Sequence, residues 1–276
     1  MKISVIVSTY NRPDALERVL AALADQVEPP AEVVVADDGS GPQTRELLVR
    51  TRESYPVPLR HVWHEDDGFR VAAIRNQAAA LSVGDWFQFI DGDCVPRRHF
   101  VHRVRRLAQE GQVLAGDRVL LSRVATERML RERDGPQHWT LSRWIAERRS
   151  GGVNRLTPFL YWPFVLGRGL QRSRWQHLRG ACIGIHRRDF ERVNGFEEAF
   201  SGWGLEDSEL AVRLINAGIA IRSGRFALGL IHLWHPENSR GRLERNEQLL
   251  ARAQASRKRW ASCGFEQARA RANAGA

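Results

Sequence analysis

From Lys2 to Asp93 the chain alternates short β-branched runs with longer runs of helical spacing, the pattern of βαβ units around a mostly parallel sheet. The strand runs are Ile3 to Ser8, Glu32 to Ala36, Leu59 to Trp63 and Trp86 to Ile90. Between the first two, Leu16, Val19, Leu20 and Leu23 make one apolar face of a helix from Arg12 to Asp25, and Pro13 sits in its first turn, where a missing N–H is harmless. A second helix follows Pro42 and a third covers Val71 to Leu81. Past Asp93 the spacing predicts a helix opened by Pro96 and running to about Glu110, then a strand from Gln112 to Leu121. Further on it predicts a helix from Glu206 to Ala217, a strand from Phe226 to Ile231, and an arginine- and alanine-rich tail from Ser239 that begins helical, frays and carries no identifiable chemistry.

An open α/β sheet binds its ligands at the carboxyl ends of its strands. The first predicted strand runs into Thr9-Tyr10-Asn11-Arg12-Pro13, the second into Asp37-Asp38-Gly39-Ser40, and the fourth into Asp91-Gly92-Asp93. Two carboxylates one residue apart offer hard oxygen ligands to a divalent cation such as Mn²⁺ or Mg²⁺, although a solvated Asp-Gly-Asp turn explains the triplet equally well on its own. Two further clusters favour a metal-dependent site: Gly202-Trp203-Gly204-Leu205-Glu206-Asp207, and the pair His232 and His235. Acids at the start of a helix also complement its dipole, and a lone histidine is more often structural than a ligand. No Gly-x-Gly-x-x-Gly and no Gly-x-x-x-x-Gly-Lys is present, so dinucleotide and P-loop readings lose their main support. A nucleotide here must be held by base and ribose contacts, with a metal on its phosphates.

The formal charge of +10 rests on 42 basic and 32 acidic residues, and only Lys2 and Lys258 are lysines. Codon bias of a high-GC genome accounts for much of the arginine, yet the net excess predicts attraction to anionic lipid, phosphorylated glycan or nucleotide. From Leu141 to Arg179 eight arginines face the single acid Glu147, amid Trp144, Trp162 and Trp175 and the apolar run Phe159-Leu-Tyr-Trp-Pro-Phe-Val-Leu. That mixture suits a lipid headgroup interface as well as it suits a lid whose tryptophans pack inward. Cys94, Cys182 and Cys263 are too few and too scattered for a disulfide framework or a zinc pattern, which fits a reducing compartment. The chain enters a strand at once, without a signal peptide's features, and no apolar stretch reaches the roughly 18 residues of a membrane span. The expectation is a cytoplasmic protein, peripheral on the inner face of a bacterial inner membrane. Without repeats or linkers, one domain is expected, with two functional halves at 1–110 and 111–238 and a basic helical tail at 239–276.

Taken in order, these clusters resemble the inverting family 2 glycosyltransferases of the GT-A fold, a Rossmann-like, mostly parallel central sheet flanked by helices. The resemblance covers most of the chain and implies a glycosyltransferase that moves a sugar from a nucleotide donor, UDP-sugar favoured, to a glycan or lipid-linked glycan acceptor. It places Ser8, Tyr10 and Asp38 at the uracil and ribose, with Asp38 accepting the base's ring N–H, and Arg12 beside them at the helix start. Asp67-Gly68-Phe69-Arg70, with Arg75-Asn76, is similar to the loop and helix that close over the nucleotide. Asp91-Gly92-Asp93 matches the DXD motif, Asp93 being the firmer metal ligand and Asp91 touching both metal and donor; His232 takes precedence as third ligand, with His235 the alternative. Asn238 and Arg240 then belong to a loop that folds over the loaded donor. The Gly202–Asp207 segment resembles the acceptor motif of β-galactosyltransferases and chondroitin-polymerase-like transferases, which implies Asp207 as base, Glu206 and Trp203 as acceptor contacts, and a galactose-type or N-acetylhexosamine-type sugar. The implied setting is bacterial cell-surface polysaccharide or lipopolysaccharide synthesis. Two other readings stand beside it: a nucleotidyltransferase, which lacks here its glycine- and arginine-rich loop after the first strand, and a non-catalytic polyanion or nucleic-acid binder, for which only the charge speaks. The family resemblance implies no nucleic-acid partner.

Overall fold

The computed structural model describes residues 1–157, 170–171, 174–237 and 240–274. The apolar run at 159–166, Arg168, Arg172 and Asn238 lie outside the described residues. The first half forms β1 (Ile3–Thr9), α1 (Pro13–Ala24), β2 (Glu32–Asp37), α2 (Pro42–Arg52), β3 (Leu59–Trp63), α3 (Val71–Leu81) and β4 (Trp86–Asp91). There follow β5 (Cys94–Pro96), α4 (Phe100–Leu107), β6 (Gln112–Ala115), β7 (Asp117–Leu120), α5 (Arg123–Glu132), α6 (Leu141–Arg149), β8 (Leu170–Gln171), β9 (Cys182–His186), α7 (Arg187–Arg192), α8 (Glu206–Asn216), β10 (Ala220–Ser223), β11 (Gly229–His232), α9 (Leu243–Ala255) and α10 (Phe265–Ala274). The main sheet runs β3-β2-β1-β4-β9-β6-β10-β8, parallel from β3 to β4 and between β6 and β10, with β9 and β8 antiparallel to their neighbours.

Both faces of this sheet are covered, which is why its central strands read as continuous apolar runs. Side chains alternate across the sheet, so Val5 and Val7 meet Leu16 and Val19 of α1 on one face, while Ile6, Phe87 and Phe89 meet Ile74 of α3 and Leu210 of α8 on the other. Trp139 and Trp144 turn inward, their rings 4.7 Å apart, so at these two positions the aromatic residues belong to the core rather than to an interface. Leu141 and Ile145 are exposed on the outer face of α6 beside Arg148 and Arg149.

Three local expectations change. The run from Gln112 to Leu121 is two strands in two sheets, divided at Gly116: a Cβ there would lie 2.2 Å from Cys182 Sγ, and its N–H donates to the Cys182 carbonyl (3.0 Å). Pro96 ends a strand instead of opening a helix, because Cys94–Pro96 pairs with β11, and the helix starts at Phe100. The strand expected from Phe226 starts only at Gly229, since Phe226 adopts a left-handed φ of +65°. The tail does not fray after its first helix. Phe265 and Ala268 of α10 are buried, Phe265 lies 5.5 Å from Phe190 edge to face, and Arg271 grips both oxygens of Glu198 at 2.8 Å. No helix among the described residues is long and apolar enough to cross a membrane.

Candidate active site

Register gathers the site. Ser8 pairs with Asp91 and Thr9 with Asp37 across parallel neighbours, so the ends of β1, β2 and β4 open together on one edge of the main sheet. A small second sheet, β5-β11-β7, sets His232 opposite Cys94, and the Leu233 N–H donates to the Asp93 carbonyl (2.9 Å), which fixes the imidazole beside the Asp91-Gly92-Asp93 turn. A cleft of about 770 Å³ runs between these edges and the N-terminus of α8.

At the ends of β1 and β2, Ser8, Tyr10, Arg12 and Asp38 all line the cleft. The Tyr10 hydroxyl donates to Asp66 Oδ2 (2.8 Å), and that bond to a carboxylate raises its pKa. Asp38 Oδ1 meets His64 Nε2 at 2.6 Å and Oδ2 accepts from the Arg70 N–H at 2.8 Å, which fastens the 64–70 loop to the end of β2. A carboxylate has about four lone-pair sites, so these bonds leave capacity for a ligand N–H. The structure does not bring the Arg70 guanidinium into the cleft: it turns to the Glu65 carbonyl and to Asp67, and Arg70 contributes its backbone instead. His64 was missed from the sequence, although it follows the third strand as the acids follow the others.

At the centre Asp93 stands between two imidazoles, with His235 Nε2 3.3 Å from Oδ2 and His232 Nε2 3.7 Å from Oδ1. No arginine or lysine among the described residues pairs with Asp93, whereas Asp91 Oδ1 accepts from Arg75 at 2.8 Å. A carboxylate and imidazoles, without a competing guanidinium, offer nitrogen and oxygen donors of the kind Mn²⁺ and related divalent ions take, and the ligand atoms of Asp93 and His232 lie within 4.8 Å of each other. Burial lowers the His232 pKa, opposed by the charge of Asp93, which favours the unprotonated ring that metal binding requires. Cys94 also lies within reach, but burial raises its thiol well above the usual range and makes it a poor ligand.

Arg75, only 2% exposed, ties this centre to the start of α8. Its guanidinium donates to Ser8 Oγ (2.8 Å), Asp91 Oδ1 (2.8 Å), the Gly180 carbonyl (3.3 Å) and Glu206 Oε1 (3.4 Å). It therefore acts as a buried bridge between strand ends and α8. Glu206 and Asp207 open α8, and the two carboxylates are inequivalent. Burial and the neighbouring Asp207 push Glu206 up to about 7, with Arg75 pulling the other way. Asp207 Oδ2 accepts from the Gly180 N–H (2.6 Å), and Oδ1 accepts from the Ser208 N–H (2.6 Å) and hydroxyl (3.1 Å).

The loop leading into α8 has left-handed φ at Gly202 (+77°), Gly204 (+104°) and Leu205 (+76°). The tail supports it from behind: the fully buried Asn246 amide donates to the carbonyls of Gly204 (2.9 Å) and Ser201 (3.4 Å), and Arg242 donates to Ser201 Oγ (2.6 Å). Trp203 is 39% exposed at the cleft, with the Arg240 guanidinium 5.5 Å from its ring centre. Nothing local in the sequence marks Gly180 or Asn246 as partners of the 201–207 segment.

The family model for glycosyl transferase family 2 matches residues 4–192. The model for the N-terminal domain of galactosyltransferase matches residues 170–235, a stretch containing Glu206, Asp207, His232 and His235. Validoxylamine A glucosyltransferase of Streptomyces hygroscopicus subsp. limoneus is 33% identical over 238 residues, covering 83% of this chain and 51% of that protein. Chondroitin synthase of Pasteurella multocida (strain Pm70) is 26% identical over 231 residues, covering 80% of this chain and 23% of that protein. The chain thus spans about half the length of the first relative and under a quarter of the second. Among solved structures, S. aureus TarS 1–349 in complex with UDP matches with a TM-score of 0.61 at 19% identity, covering 97% of this chain and 68% of that one. The mannosyltransferase PcManGT from Pyrobaculum calidifontis, in complex with GDP-Man and Mn²⁺, matches with a TM-score of 0.56 at 18% identity, covering 100% of this chain and 75% of that one. These structural likenesses carry the fold, and the family match over residues 4–192 carries the class: the chain belongs to glycosyl transferase family 2 and is a glycosyltransferase of the GT-A fold.

Proposed function

We propose that the chain transfers a sugar, with inversion, from a UDP-sugar to a glycan hydroxyl, with Mn²⁺ or Mg²⁺ held by Asp93, His232 and His235. One observation carries this reading: the Asp93–histidine cluster and the Glu206–Asp207 pair line the same cleft, and Arg75 bridges Asp91 of the same turn to Glu206. When bound, the cation neutralises charge on the departing diphosphate. Asp207 takes the proton of the attacking hydroxyl as that oxygen strikes the anomeric carbon from the face opposite the leaving group, so a single displacement inverts the centre. Glu206, neutral up to about pH 7, donates a hydrogen bond to the acceptor and leaves the base role to its neighbour. The exposed ring of Trp203 offers a flat apolar face to sugar C–H groups, and Ser8, Tyr10 and Asp38 hold the nucleoside.

The UDP complex of TarS and the Mn²⁺ complex of PcManGT support this donor and ion. The galactosyltransferase-domain match and the chondroitin synthase relative support a galactose-type or N-acetylhexosamine-type sugar and a role in bacterial surface polysaccharide or lipopolysaccharide synthesis. In this scheme residues 1–110 bind the donor and supply Asp93, 111–238 supply the acceptor groups and the two histidines, and 239–276 brace the acceptor loop. Leu141, Ile145, Arg148 and Arg149 on one exposed face of α6 support peripheral contact with anionic lipid at the inner face of the membrane. A thermal-shift panel of nucleotide sugars with Mn²⁺, followed by NMR of the product anomer, tests the reaction. Stabilisation by a UDP-sugar and an inverted product are expected, and a retained configuration refutes the displacement. Sedimentation with anionic vesicles, lost on charge reversal at Arg148 and Arg149, tests the location.

A further inference from the structure

A second cavity, about 300 Å³, adjoins the cleft behind the Arg179-Gly180-Ala181 segment and is lined by Arg118, Asn154, Arg155 and Arg179, with Asp117 its one acid. Arg118, Arg179 and Ala181 line both spaces. Asp117 is already engaged, its Oδ1 accepting from Arg155 (2.6 Å) and from the Arg118 N–H (2.8 Å). Among the described residues no carboxylate pairs with Arg118 or Arg179, and Arg155 Nε is buried without a partner. Asn154 Oδ1 accepts from the Leu120 N–H, which leaves its amide hydrogens to the cavity. The walls therefore present an excess of donors and three guanidinium groups, the chemistry that takes a carboxylate or a phosphate.

Position says which substrate brings that anion. The cavity is walled by Ala181 and Cys182 at the start of β9 and by Asp117, Arg118 and Leu120 of β7, whose Leu120 pairs with His232, so it stands beside the His232 strand, on the flank away from Asp38 and β2. The dividing wall is the segment whose Gly180 N–H holds Asp207 at 2.6 Å. We propose that Arg118, Asn154, Arg155 and Arg179 form a subsite for a carboxylate or phosphate group on the acceptor, so that the enzyme selects an anionic acceptor and aims its hydroxyl at Asp207. This rests on Asp207 marking the acceptor side.

Isothermal titration tests the subsite with methyl glucuronide, glycerol 3-phosphate and the neutral methyl glucoside, each with and without saturating UDP and Mn²⁺. The two arms separate a carboxylate from a phosphate source, and binding of either supports the proposal. The anionic probes are expected to bind in both conditions and the glucoside to bind in neither. Arg155→Gln, at a residue that lines this cavity and not the cleft, should weaken anion binding at least tenfold and leave UDP affinity unchanged, and the double variant with Arg179→Gln should weaken anion binding further. Equal binding of glucoside and glucuronide overturns the proposal, as does anion affinity untouched by both variants. A variant that discriminates UDP-glucuronate from UDP-glucose while leaving free anions unaffected also overturns it, since the anion then belongs to the donor. If wild-type protein binds the anions but no UDP, the UDP-donor reading fails and the subsite stands.

Discussion

Replacing Glu206 by glutamine should stabilise the fold in a strongly pH-dependent way. In the unfolded chain this carboxyl titrates near its ordinary 4.5, and in the fold it holds its proton up to about 7, because burial and the charge of Asp207 outweigh the help of Arg75. Between those values the folded state binds the extra proton, so stability falls as pH rises through the window and stays lower above it. A difference of about 2.5 pH units at 1.36 kcal/mol each amounts to about 3 kcal/mol. Glutamine keeps the shape and the hydrogen bond but carries no charge, and Arg75 retains Asp91 and Ser8, so its guanidinium is not stranded. Urea denaturation of both proteins should therefore show the variant more stable by about 3 kcal/mol at pH 8, a Tm gain of roughly 5–10 °C, shrinking below about 1 kcal/mol at pH 5. A stability difference that is flat with pH, or a variant less stable at pH 8, would refute the reasoning: Arg75 would then neutralise an ionised Glu206, and its part as a neutral donor to the acceptor would fall.

Three further outcomes are expected. Asp93→Ala should abolish Mn²⁺-dependent UDP binding in calorimetry, while Asp91→Ala, whose parent carboxylate is paired with Arg75, retains part of it; unchanged affinity in Asp93→Ala means the metal is held elsewhere. Asp207→Asn should lower kcat by about 10²–10⁴ with donor affinity near that of the wild type, and a near-normal rate moves the base to Glu206. Asn246→Ala strips a buried donor from the carbonyls of Gly204 and Ser201 and should cost about 1–3 kcal/mol of stability. It should also lower kcat more than it weakens donor binding, and equal changes in both would assign Asn246 to general stability alone.

How much of this was legible in the chain follows from where each determinant lies. Strands β1 to β4 and helices α1 and α3 fall within one residue of their predicted ends, and α2 starts at Pro42 where a helix was expected to follow it, because period-two and helical spacing, with Pro13 and Pro42 at helix starts, are local signals. The division at Gly116, the short strand ending at Pro96 and the docking of α10 were not legible, since each is imposed by a distant partner: Cys182, Leu230 and Phe190. The site divides along the same line. Asp38, Asp91 and Asp93 could be found because they end strands, and Asp207 because it opens a helix after Trp203. What sets their chemistry could not, because it arrives from across the fold. The resemblance implies a donor role for Arg75, which lines the cleft, but its guanidinium partners Ser8, Asp91 and Glu206 lie 67, 16 and 131 residues away. Glu206 and Asp207 are adjacent acids that no spacing rule separates. They diverge because Asp207 receives the Gly180 N–H from 27 residues upstream, while Glu206 faces a buried guanidinium at 3.4 Å, too long to offset its own burial. The proposed assignment of base and neutral donor therefore depends on the distances from Arg75 and Gly180, and a change at either residue should exchange or erase the two proposed roles while the acidic motif itself stays intact.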